Sequence, residues 1–171
     1  MKKYELTTET KVVYGHTLYR IRALVAFGSV DTGELGGWIE KESNLAQDGN
    51  AWVYGNAWVY GDAEVYGDAE VCGNARVYGD AWVYGDARVY GDARVYGNAA
   101  IMTISHIGPC FGTTTFFVLK NGKIGVQCGC FYGDIDEFAA KVEETHGNNQ
   151  HGRAYKLAIE LVKLRLQTRK E

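Results

Sequence analysis

Residues 49 to 102 read GNAWVY, GNAWVY, GDAEVY, GDAEVC, GNARVY, GDAWVY, GDARVY, GDARVY and GNAAIM, nine hexapeptides in unbroken succession from Gly49 to Met102. A period this regular decides the fold before any residue propensity is weighed. Within each unit Ala-x-Val-Tyr alternates inward small or aliphatic residues with outward ones, the two-residue period of a short strand. Gly followed by Asn or Asp supplies the corner. Gly takes positive φ without steric cost, and Asn and Asp tolerate it better than other side chains. So short a strand cannot bury its Ala and Val alone, so the units must stack into a solenoid with rungs about 4.8 Å apart.

The repeat resembles the hexapeptide-repeat proteins that form left-handed parallel β-helices. In those an aliphatic residue is followed four positions later by a small one, as Val53 is by Ala57. Three hexapeptides make one triangular coil, so the resemblance implies three coils and a prism about 15 Å tall. Residues eighteen apart then form columns. One face carries Tyr54, Cys72 and Tyr90 beside Trp52, Glu70 and Arg88. The second carries Tyr60, Tyr78 and Tyr96 beside Trp58, Arg76 and Arg94, and the third Tyr66, Tyr84 and Met102 beside Glu64, Trp82 and Ala100. Glu70 over Arg88 is an opposite-charge pair, and Trp58 over Arg76 permits a cation–π contact. Arg76 over Arg94 is a like-charge pair, which either splays into water or is bridged by an anion. With Tyr78 and Tyr96 alongside, it is a candidate site for an anion bearing a planar group. The outward Tyr and Trp residues either stiffen the strands or anchor a protein interface.

Working outward, residues 1–48 read as a β-rich cap, 49–102 as the repeat and 103–171 as an α+β assembly domain, giving a mainly β chain. In the cap, Leu18 to Phe27 alternates Tyr19, Ile21, Ala23, Val25 and Phe27 against Arg20 and Arg22, predicting a half-buried strand paired with Lys11–Tyr14 through Gly15-His16. Gly36-Gly37-Trp38-Ile39-Glu40 leads to Ser43-Asn44-Leu45, a degenerate hexapeptide with Leu45 at the small position; Trp38 and Leu45 are expected to plug the first coil. Beyond the repeat, Asn121-Gly122 joins Thr113–Lys120 to Lys123–Cys128 in a hairpin. Asp134 with Glu137 forms a capping box, and His146-Gly147 closes that helix. A second helix from about Gly152 to Gln167 is apolar over most of its circumference and needs cover on more than one side. A dimer or trimer is therefore expected, with Leu157, Leu161 and Leu164 at the interface. The Gly36-Gly37-Trp38 entry and the C-terminal Cys128-Gly-Cys-Phe-x-Gly, Asp-Glu-Phe and Thr145-His146-Gly147 resemble small bacteriophage and prophage hexapeptide-repeat proteins.

The 171 residues are 46% apolar and 23% charged, an ordinary globular balance, with formal charge −3 and pI about 5.8. There is no bulk electrostatic reason to bind nucleic acid or an anionic membrane. The short apolar runs and the polar residues after Met1-Lys2-Lys3 lead us to expect a cytoplasmic protein, in the host cytoplasm if phage-encoded. Four uneven cysteines read as free thiols. Acyltransferases on this fold usually place a catalytic His on the coil, and the nine repeats contain none, so no catalytic residue is assigned. Cys110, Cys128 and Cys130 are zinc-ligand types with His106, His146 and His151 nearby in sequence. Cys128-Gly129-Cys130 departs from the usual two-to-four spacing, and on a strand both thiols would share one face, so neither metal nor cofactor is predicted. Cys130 and His146, with His151 across the loop, form a second candidate ligand site. The function expected is a non-enzymatic, phage-type binding protein that modulates its host, inhibiting a defence system by occluding a host protein or sequestering a signalling nucleotide. An acyltransferase-like enzyme of the hexapeptide-repeat class is the alternative.

Overall fold

The computed structural model describes residues 1–97, 101–119 and 121–166. The chain divides into two compact units, Met1–Asn98 and Ala99–Glu171.

In the first unit β1 (Tyr4–Val13), β2 (His16–Ala23) and β3 (Leu35–Ile39) run antiparallel in succession and then continue into the solenoid. The repeat supplies eight rungs: β4 (Trp52–Val53), β5 (Trp58–Val59), β6 (Glu64–Val65), β7 (Glu70–Val71), β8 (Arg76–Tyr78), β9 (Trp82–Val83), β10 (Arg88–Val89) and β11 (Arg94–Tyr96). They stack in parallel at a spacing of eighteen residues, β4 on β7 on β10, β5 on β8 on β11, and β6 on β9. Every Ala and Val of these eight units, from Ala51 to Val95, is buried at 1% exposure or less, so two columns of side chains per face fill the axis. The expected β-solenoid is what the chain forms.

The ninth unit departs from the other eight. Ala100 lies outside the described residues, and Met102, expected beneath Tyr84, instead pairs with Phe116 in the second unit. No Gly-Asn or Gly-Asp corner follows Met102, so the strand runs on through Thr103 and Ile104 instead of turning.

The entry also differs from expectation. β3 is itself a rung: Trp38 pairs with Trp58 and Ile39 with Val59. Trp38 therefore stands in the outward column, and Ile39 takes the inward position that the plug requires. Leu45 pairs with Val65, the aliphatic column, and not with a small residue. Ahead of it, buried Asn44 donates its amide to the carbonyls of Gly61 and Ala63, which replaces backbone pairing across the irregular turn at Glu42–Asn44. β1 begins at Tyr4, well before Lys11, and β2 stops at Ala23; Phe27 leaves the strand line and packs on Trp52. Trp52, nominally outward, is fully buried between Phe27 and Tyr4.

The second unit is a four-stranded antiparallel sheet, β12 (Ile101–Ile104), β13 (Thr114–Val118), β14 (Ile124–Cys128) and β15 (Phe131–Asp134), followed by α1 (Ile135–His146) and α2 (Gln150–Leu166). The predicted hairpin is β13–β14, and the capping box at Asp134 is formed as expected. Phe116, Val126, Phe138, Val142, Ile159 and Val162 make its core. Among the described residues no helix is long and apolar enough to cross a membrane.

Candidate functional site

The solenoid face built on β5, β8 and β11 is overlaid at its upper end by the β1–β2 hairpin. Lys11 on β1 inserts its ammonium between two indoles, 4.1 Å from the Trp38 ring centre and 4.4 Å from that of Trp58. Arg20 lies 5.5 Å from the Trp38 ring centre, and Arg76 packs 4.3 Å from that of Trp58. Cations and indoles thus alternate along the face, each pair gaining cation–π attraction. Tyr14, held at φ 51 in the hairpin tip, accepts a hydrogen bond from Arg76 Nη1 at 3.1 Å. Arg94 follows Arg76 in parallel register one rung further on.

The charges along this strip are close enough to act on one another. Burial and the neighbouring guanidiniums of Arg20 and Arg76 lower Lys11 from 10.5 to about 8, Glu9 opposing. Glu9 also pairs with Arg20 at 3.6 Å. Beside the cations runs a row of rings: His16 tilted against Tyr60 at 4.9 Å, then Tyr60 stacked on Tyr78 at 5.2 Å and Tyr78 on Tyr96 at 5.9 Å. Tyr78, stacked on both faces by Tyr60 and Tyr96, therefore offers a ligand its edge and hydroxyl, while Tyr96, stacked on Tyr78 alone, is exposed. The structure brings Arg76, Arg94, Tyr78 and Tyr96 together as the repeat spacing requires. Lys11, Arg20, Tyr14 and Trp38 escaped sequence reasoning, because they reach the strip only when a hairpin some forty residues upstream folds over it. The one available signal is Trp38 itself, an aromatic ahead of the repeat that matches Trp58.

The other predicted cluster lies in the second unit around a cavity of about 330 Å³. Cys110, Cys128, Cys130 and His146 all line it; His151 does not, though its ring stands 5.9 Å from that of His146. The shared-face expectation for Cys128 and Cys130 fails, because β14 ends at Cys128 and Gly129 turns the chain at φ 57, leaving Cys130 exposed in the turn. Cys128 is engaged inside the wall: the Thr114 hydroxyl donates to its sulfur at 3.2 Å, and the Tyr155 hydroxyl lies 3.5 Å away. Burial raises the Tyr155 hydroxyl well above its ordinary range, so it stays a protonated structural group. Among the described residues no three His, Cys, Asp or Glu side chains converge to hold a metal ion.

Leu157, Leu161 and Leu164 line the outer side of α2, exposed at 67%, 45% and 70%, while Tyr155, Ala158, Ile159 and Val162 form its covered side.

Comparison with known proteins bears on the repeat. The family model described as the YdcK beta solenoid repeat matches residues 69–85 and 87–101. The chain is 37% identical over 62 residues to the "Uncharacterized acetyltransferase YdcK" of Escherichia coli (strain K12), an alignment covering 32% of this chain and 19% of that protein. The chain thus spans about a fifth of the length of that relative. Stacked rungs of eighteen-residue spacing and a matching repeat model together establish this chain as a β-solenoid repeat protein.

Proposed function

We propose that the chain is a non-enzymatic binding protein whose solenoid face captures a small phosphate-bearing ligand through Arg76 and Arg94. The observation that carries this reading is the cation strip: Arg20, Lys11, Arg76 and Arg94 in line, with Arg76 fixed in place by Trp58 and Tyr14. Arg76 and Arg94 stand opposite each other on paired strands, whose backbones lie about 4.8 Å apart, so an oxyanion between them could accept from both guanidiniums and relieve their repulsion. Immobilising Arg76 in advance reduces the ordering cost of binding. The resemblance to phage proteins supports a setting in the host cytoplasm, where the ligand would be a signalling nucleotide withdrawn from a defence system.

The experiment is native mass spectrometry of the protein purified from host cells, beside an Arg76→Glu/Arg94→Glu variant. The expected result is a bound phosphate-containing small molecule on the parent and none on the variant. A ligand-free parent that instead retains a host protein would replace sequestration by occlusion. The name of the E. coli relative supports the acetyltransferase alternative. Release of free thiol from acetyl-CoA, measured over the acceptors present in lysate, would establish that alternative and overturn the non-enzymatic reading.

A further inference from the structure

The cavity of the second unit is built unlike the cation strip and asks for a different ligand. Its inner wall is formed by Ile107, Phe131, Phe138 and Val142, with Phe138 packed edge-on to Tyr155 at 5.4 Å and against Phe131 at 5.1 Å. Of the polar side chains lining the cavity, Cys128 and Tyr155 are already engaged with each other, and Cys128 with Thr114 behind it. An apolar body is what such a wall stabilises.

The mouth has the opposite character. Lys141 and His146, one on each of the last two turns of α1, line it. Lys141 is paired with Glu144 at 2.8 Å, but both side chains are solvent-exposed, and a pair of that kind is readily exchanged. At the end of α1, Gly147 N–H donates to Glu143 O at 2.9 Å and Asn149 N–H to His146 O at 3.1 Å, and the helix end keeps its partial negative charge, so the cationic Lys141 has to outweigh it. A volume near 330 Å³ lies at the small end of ligand cavities, which run from about 300 to 1,000 Å³.

We infer that this cavity binds a small carboxylate with an apolar body, the body seated against Phe138 and Val142 and the carboxylate at Lys141. The inference is independent of the proposed ligand of the solenoid face.

The test is calorimetric or NMR titration of the full chain with butanoate, hexanoate, octanoate and decanoate, with 3-phenylpropanoate to separate ring from chain, and with octanol as the uncharged comparison. Affinity should rise about fourfold per added methylene and level off once the cavity is full. Lys141→Gln, a surface change that leaves the core intact, should weaken octanoate at least tenfold and leave octanol unaltered. The Arg76→Glu/Arg94→Glu variant should bind octanoate as the parent does, which separates this site from the solenoid reading. A Leu157→Gln/Leu161→Gln/Leu164→Gln variant should also retain it. No saturable binding, equal binding of octanoate and octanol, or loss of binding in the leucine variant would each overturn the inference.

Discussion

Gly67 sits at φ 74, and a β-carbon placed on it would stand 3.0 Å from the amide nitrogen of Gly85 on the next coil; Gly55, at φ 56, has no atom within 4 Å of that point. The two corners thus separate backbone conformation from stacking. Gly55→Ala should cost only the left-handed penalty, about 1–2 kcal/mol. Gly67→Ala should add roughly 1–3 kcal/mol for overpacking against the next corner. Urea midpoints for both variants decide it, and equal losses would mean that corner stacking contributes nothing. A second residue reports through pH. Lys3 is buried, its ammonium donating to the carbonyls of Asp48, Gly49 and Ala51 at 3.0–3.4 Å, and burial lowers it from 10.5 to about 8 against the pull of Asp48. Below pH 8 both folded and unfolded chains carry the proton and the folded state bears the full burial cost. Between about 8 and 10 the folded Lys3 sheds its proton first, the unfolded chain binds more protons, and stability rises with pH. Tyr4, raised by burial, reverses the trend once unfolded tyrosines ionise above about pH 10. Lys11 shifts in the same direction as Lys3, so the measurement is the difference between parent and Lys3→Met. The parent should gain relative to the variant from pH 8 to 10, and parallel curves would refute the assignment.

At the level of elements, α1 is held at its start by reciprocal capping: the Asp134 carboxylate accepts from the amides of Asp136 and Glu137 at 3.0 Å, and Glu137 accepts from the Asp134 amide at 2.8 Å. Asp134→Ala should cost about 0.5–2 kcal/mol, read as a lower melting temperature of the second unit with the solenoid's transition unchanged. This cap was legible because its signal is local, three residues apart in sequence. The solenoid was legible for a related reason: a repeated unit makes long-range pairing a matter of counting, and Arg76 meets Arg94 wherever eighteen residues make a coil. What escaped reading is where counting breaks. Trp38 and Leu45 pair with residues twenty positions away, because Ile39 and Leu45 keep the six-residue spacing while Leu45 and Val53 stand eight apart, so the two extra residues lie after Leu45, ahead of Ala51. The polar run from Glu5 to Lys11 shows no apolar alternation, so β1 could be seen only near the turn. β12 and β15 are short and acquire strand character from their neighbours in the sheet. Half of the cation strip was therefore visible, Arg76 and Arg94, and half was not, since Lys11 and Arg20 arrive on a hairpin whose docking no local pattern encodes. The cavity was visible only as a collection of Cys and His. Its apolar wall comes from three separate parts of the chain, the loop at Ile107, β15 and α1.

For the molecule as a whole, α2 raises a question of number. Its covered side, Tyr155, Ala158, Ile159 and Val162, completes the core of the second unit, while Leu157, Leu161 and Leu164 repeat at intervals of four and three along the outer side. That interval is the one by which helices pack on one another, and each leucine buried there contributes roughly 1.5–3 kcal/mol. Three such residues in line on one helix favour association of copies of this chain, because the same stripe is present on each. Light scattering after size exclusion at micromolar concentration should return two or three times 18.9 kDa. The Leu157→Gln/Leu161→Gln/Leu164→Gln variant should return 18.9 kDa with an unchanged circular dichroism spectrum, as none of the three side chains belongs to the core. A parent that runs at the mass of one chain would overturn the expectation and leave the stripe as surface. A variant that stays associated would move the interface elsewhere, to the exposed aromatic pair Trp82 and Tyr84 on the solenoid.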